Sequence, residues 1–99
     1  MELAELQQSV RFFSKERGFD KSSLEQRALF LVTEVGEVVR EVLKFSYHSE
    51  SEKLEEIKED LGLEMYDIIW NLCDLANKVG IDLEVAAHKK IEINRNRIW

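Results

Sequence analysis

No proline interrupts this 99-residue chain, and only four glycines punctuate it. Proline removes a backbone donor and glycine adds backbone entropy, so a chain nearly free of both has few enforced turns and long stretches able to coil into helix. A β-sandwich needs a turn signal about every 8–12 residues, which excludes an all-β fold. The apolar residues carry the matching period. Leu3, Leu6, Val10 and Phe13 predict a first helix over 2–17, with Gly18 as its stop. Ser22 and Glu25 stand in capping-box spacing before a second helix over 24–46, whose apolar face is Leu24, Ala28, Leu31, Val35, Val38, Val42 and Phe45. Ser49 and Glu52 repeat that spacing before a third helix, Leu54 to Lys78, stopped by Gly80; Gly62 inside it implies a bend or close packing. Asp82 caps a fourth helix from Leu83 to Arg97, with Ala87, Ile91 and Ile98 on one side.

Short connections make consecutive helices antiparallel neighbours, so the expected fold class is an all-α, four-helix bundle, one domain over residues 1–99. A chain of this size builds a small core, and a second copy is the common way to complete it. Acidic residues outnumber basic ones 20 to 14, for a net charge of −6. That balance disfavours binding to nucleic-acid polymers and to anionic membrane surfaces. No apolar stretch has signal-peptide character or the length of a membrane span, and the single cysteine, Cys73, makes no internal disulfide; a reducing cytoplasm is the expected compartment.

Five pairs of acidic residues stand three apart, about as many as chance supplies, so their surroundings decide between them. Glu2/Glu5, Glu52/Glu55 and Glu56/Glu59 lie in polar stretches that water solvates. Glu34/Glu37 and Glu64/Asp67 are embedded in apolar sequence. On a helix, positions i and i+3 share a face, so each pair projects two like charges together. If the two pairs face one another, four carboxylates must either protonate or hold a cation, and all-oxygen donors suit Mg²⁺ or Mn²⁺. The alternative is that both pairs lie at helix edges and reach solvent. Positions 34 to 67 carry a net −7 and positions 88 to 99 a net +3. Lys90, Asn94 and Arg97 form one polar stripe, able to donate to phosphate oxygens or simply to complement a helix dipole. Phe12, Phe13, Phe19, Phe45 and Trp70 either wall a planar ligand or fill the core. His88 has no second ligand at zinc spacing, no Glu-x-x-His supports a di-iron centre, and no Gly-rich phosphate loop or Ser-His-Asp set occurs.

Taken in order, these motifs resemble the MazG-like all-α nucleotide pyrophosphohydrolases over nearly the whole chain. Glu34-Val35-Gly36-Glu37 is similar to the family's Glu-x-x-Glu, and Glu64-Met65-Tyr66-Asp67 to its Glu-x-x-Asp. Gly80-Ile81-Asp82-Leu83 with Lys90, Asn94 and Arg97 resembles its closing helix, and Glu16-Arg17-Gly18-Phe19 a segment that supplies an aromatic to the base. Asn71, at a position usually aromatic, and Phe19, in place of a commoner tryptophan, depart from the pattern. The resemblance implies Mg²⁺-dependent hydrolysis of a nucleoside triphosphate to monophosphate and pyrophosphate by water attack at the α-phosphorus. Glu34, Glu37, Glu64 and Asp67 would be the metal-binding and catalytic residues, and Lys90, Asn94, Arg97 and Phe19 the substrate contacts. It also implies a homodimer or a dimer-of-dimers tetramer. Two alternatives stay open: a narrower substrate such as phosphoribosyl-ATP or dUTP on the same fold, and a non-catalytic oligomeric helical interaction module.

Overall fold

A computed structural model describes residues 1–98, and every regular element among them is helical. Helix α1 spans Leu3–Glu16, α2 Leu24–Tyr47, α3 Leu54–Val79 and α4 Leu83–Arg95, with a 3-10 turn at Phe19–Lys21 between the first two. The breaks fall where the sequence offers a left-handed residue or a capping side chain. Gly18 and Gly80 both adopt φ of 76°, a conformation that costs an L-residue and not glycine. Asp82 accepts from the backbone N–H groups of Glu84 and Val85 and opens α4 as expected.

Four local expectations shift. The capping box of α2 is Ser23 with Gln26, one residue beyond the Ser22/Glu25 pair: Gln26 N donates to Ser23 Oγ at 3.1 Å and Ser23 N to Gln26 Oε1 at 2.8 Å. Both pairs fit the spacing, and glutamine serves as well as glutamate because only a side-chain oxygen is needed. Before α3, Ser51 rather than Ser49 caps the turn, its Oγ accepting from Lys53 N at 3.0 Å. Helix α4 ends at Arg95, so Arg97 and Ile98 lie past it and not on its faces. Gly62 sits in uninterrupted helix, where an added Cβ would meet nothing within 4 Å, so no close packing requires glycine there. None of the described helices is long and apolar enough to cross a membrane.

The chain groups into two compact units. The first comprises Met1–Ser22 and the residues from Cys73 on. Val10, Cys73 and Ala76 are its buried apolar side chains. Beside them the buried Gln7 ties three segments together. Its Nε2 donates to Asn77 Oδ1 at 2.9 Å and to Ile81 O at 2.7 Å, and its Oε1 accepts from Leu83 N at 3.0 Å. Asn77 Nδ2 returns a bond to Gln7 O, and Arg11 adds a donor to Asn77 Oδ1. Lys78 Nζ donates to Ser22 O at 2.8 Å and Asp20 O at 3.1 Å, fixing the 3-10 turn.

The second unit, Ser23–Leu72, is a helical hairpin of α2 and the first part of α3. Near its open end the Arg27 guanidinium lies 5.5 Å from the Trp70 ring centroid and 5.3 Å from that of Phe30. Near its turn Glu41 and Asp60 line one cavity, so the helices run antiparallel. The buried residues of this unit are all polar: Arg27, Glu41 and Asn71. Several of its large apolar side chains face outward, with Leu29 and Val32 each 68% and Leu63 61% exposed, while Leu31, Val38, Leu61 and Ile68 are half-buried.

Candidate metal centre

The apolar runs that make α2 and α3 helical also fix which carboxylates meet. Glu34 on α2 and Glu64 and Asp67 on α3 each offer an oxygen within 4.8 Å of the other two. Glu34 and Glu64 are half-buried and Asp67 is exposed, so the group opens to solvent on one side. Partial burial raises the Glu34 carboxyl above the usual carboxylate range, and the charges of Asp67, Glu64 and Glu37 add to that. Glu64 is raised for the same first reason, then by Asp67, Glu37 and Glu41, with Arg40 opposing. Crowded like charges of this kind are relieved by protonation or by a cation. Three carboxylates without histidine or thiolate suit a hard divalent ion that takes oxygen donors, so Mg²⁺ or Mn²⁺ fits the donor set.

The fourth expected carboxylate is placed differently. Glu37 is ion-paired with Arg40 one turn on and stands outside the convergent group, although its charge is felt at both Glu34 and Glu64. The i, i+3 rule puts Glu37 on the right face, and a neighbouring cation decides where its carboxylate points.

The other expected residues belong to the first unit. Phe19 lies in the 3-10 turn with its ring centroid 6.3 Å from that of Phe13. Lys90 is exposed on α4, and Asn94, half-buried on the same helix, has an Oδ1 shielded from solvent with no hydrogen-bond partner. Arg97 lies beyond α4, its N–H donating to Asn94 O at 3.2 Å, so the three-residue stripe reduces to Lys90 and Asn94.

Two residues that spacing did not single out matter here. Asn71 is buried, its Nδ2 donating to Asp67 O at 2.8 Å, and so braces the turn that carries Asp67. Glu41 is 5% exposed; Lys44 Nζ reaches its Oε1 at 3.2 Å, while its Oε2 is buried without a hydrogen-bond partner. Its signal was available, since Glu41 follows Glu34 by two helical turns.

Compared with known proteins, the sequence is 32% identical over 98 residues to the uncharacterized protein YvdC of Bacillus subtilis strain 168. The alignment covers 91% of this chain and 92% of that one. The chain belongs to the YvdC family. No family model matches it, and no solved structure matches it significantly. Likeness to YvdC extends over the whole site-bearing hairpin and attaches no activity to it, so the chemistry of this YvdC-family chain rests on its own residues.

Proposed function

We propose that this protein is a Mg²⁺-dependent nucleoside triphosphate pyrophosphohydrolase, cleaving its substrate to a monophosphate and pyrophosphate. The observation that carries the reading is the convergence of Glu34, Glu64 and Asp67 on one face of a hairpin, with Glu34 and Glu64 held above the usual carboxylate range. The ordered likeness of Glu34-x-x-Glu37 and Glu64-x-x-Asp67 to the MazG-like pyrophosphohydrolases supports it. Glu34, Glu64 and Asp67 would hold Mg²⁺, which when bound would supply charge neutralisation on the phosphate oxygens and an acidified water. Asn71 fixes the turn behind Asp67. Glu37, paired with Arg40 and outside this group, would be a ligand only by the MazG-like resemblance. One of these carboxylates would take the proton of the attacking water. The MazG-like resemblance alone would give Lys90, Asn94 and Arg97 the role of donors to the triphosphate and Phe19 that of the aromatic at the base.

The working form in this proposal is a homodimer or a dimer of dimers. A hairpin whose buried residues are polar while Leu29, Val32 and Leu63 face outward gains most of its apolar burial from a second copy. Incubation with Mg²⁺ and a panel of ordinary and damaged nucleotides, with products identified by mass, tests the activity. Equal yields of monophosphate and pyrophosphate are expected. Stepwise release of inorganic phosphate, or no turnover of any member of the panel, overturns it.

A further inference from the structure

Near the turn of the hairpin, α2 and α3 border a cleft of about 230 Å³ that shares no residue with the Glu34, Glu64 and Asp67 group. Glu41 and Lys44 line it from α2, Ile57 and Asp60 from α3. A buried carboxylate is stable when charged donors replace its lost water. Glu41, 5% exposed, is only partly supplied. Lys44 Nζ donates to Oε1 at 3.2 Å, longer than the roughly 2.7–2.9 Å of a tight charge-assisted bond, and Oε2 accepts from no protein group. Because Lys44 also lines the cleft and meets Glu41 head to head, the carboxyl group stands at the cleft wall. The Lys44 side chain is 50% exposed and can leave for water at little cost, whereas that of Glu41, 6% exposed, is held in place.

We propose that this cleft binds a small organic amine, whose ammonium group takes the Glu41 carboxylate in place of Lys44. Lys44 itself shows the chemistry, an ammonium on an alkyl stem seated on this carboxylate. Size argues against a bare ion, since the share of volume of one water is about 30 Å³ and the cleft has room for several such molecules. So does geometry: among the described residues, the three carboxylates of the cleft do not bring their oxygens within 4.8 Å of one another, as Glu34, Glu64 and Asp67 do. An elongated ligand suits such a spread. Half-buried Ile57 offers an apolar wall for its methylenes, and Asp60 a second carboxylate for a second donor. Acids outnumber lysines three to two in the lining, and that negative balance favours a cation. The cleft stands apart from the proposed hydrolysis and does not depend on it.

The test uses putrescine as probe at neutral pH, with binding measured by isothermal titration calorimetry and by the rise in melting temperature. Wild type is expected to bind putrescine, n-butylamine more weakly and 1,4-butanediol not at all. Glu41→Gln should weaken binding about 10-fold or more, because the charge of the anchor is lost. Lys44→Ala should tighten it several-fold, because the resident competitor is gone. The exposed pair of Glu55 and Lys58, 3.6 Å apart on α3 and outside the lining, supplies controls of equal charge change. Glu55→Gln and Lys58→Ala should leave the affinity as it is. If they match Glu41→Gln and Lys44→Ala, the amine is held by diffuse charge and the proposal is overturned. Loss of binding in Glu64→Gln but not in Glu41→Gln places the amine at the other carboxylates and overturns it too. No binding by wild type, or equal binding of 1,4-butanediol, does the same. Should Glu41→Gln fail to fold, the comparison of Lys44→Ala with Lys58→Ala decides.

Discussion

The two units of this chain solve opposite problems. In the first, apolar Val10, Cys73 and Ala76 are buried and Gln7 has its polar atoms matched to Asn77, Ile81 and Leu83. In the second the buried residues are Arg27, Glu41 and Asn71, each of Glu41 and Asn71 keeps an oxygen without a partner, and the apolar side chains are half-buried or face out. Ser14 Oγ and Asn94 Oδ1 of the first unit also lack partners, so the difference lies in the buried apolar side chains of the first and the crowded acids of the second. Crowded carboxylates are a poor structural part and a good binding site, since a ligand can supply what the fold withholds.

The largest effect that can break this contrast is on activity. Glu64→Gln removes a convergent ligand, so Mg²⁺-dependent hydrolysis should fall by about 100-fold or more. Glu56→Gln, on the same helix beyond the convergent group, should leave the rate unchanged; equal losses in the two would mean that the carboxylates are interchangeable surface charge.

Next comes assembly. Val32→Lys places a charge on the exposed face of α2 and should reduce the particle measured by light scattering to one 11.6 kDa chain. If wild type already runs as a single chain, the outward apolar face has another use.

A smaller effect, about 2–4 kcal/mol in urea unfolding, is expected from Gln7→Ala, which removes the side-chain acceptor of Leu83 N and the donor to Ile81 O and Asn77 Oδ1. Cys73 gives a second reading of the same event. Its thiol is buried and its pKa pushed up by that burial, so alkylation at neutral pH should be slow in wild type and faster in the variant.

The pH dependence separates the units without mutation. Glu34 and Glu64 titrate above their unfolded values, so their contribution is fully present below the unfolded carboxylate range and lost as pH rises through the raised folded values. Metal-free protein should therefore melt lower at neutral pH than at about pH 4–5 as far as these groups are concerned, and Glu34→Gln should flatten that trend. Millimolar Mg²⁺ should restore the loss at neutral pH; an unchanged melting temperature with the ion would count against the site.

The smallest effect contrasts two glycines. Gly62→Ala should stabilise by about 0.5–1 kcal/mol, because a Cβ meets open space in regular helix. Gly80→Ala should destabilise by about 1 kcal/mol or more at its φ of +76°.

Helix number and most of the boundaries follow from the sequence alone, since four apolar runs of helical period are separated by Gly18, the Ser-rich stretch near 50, and Gly80 with Asp82. These are local signals, set by backbone preference within a few residues. The same locality explains the misplaced caps, because Ser22/Glu25 and Ser23/Gln26 satisfy one rule and only the packed chain chooses between them. The sequence also placed Glu34, Glu64 and Asp67 on helix faces able to meet, and their meeting is a matter of antiparallel register that no spacing within one helix contains. Glu37 shares that face, yet it pairs with Arg40 and stands outside the group. Periodicity specifies which residues share a face; which faces are buried, and whether a carboxylate finds a cation or another acid beside it, depends on a second helix distant in sequence, and only the tertiary structure decides it.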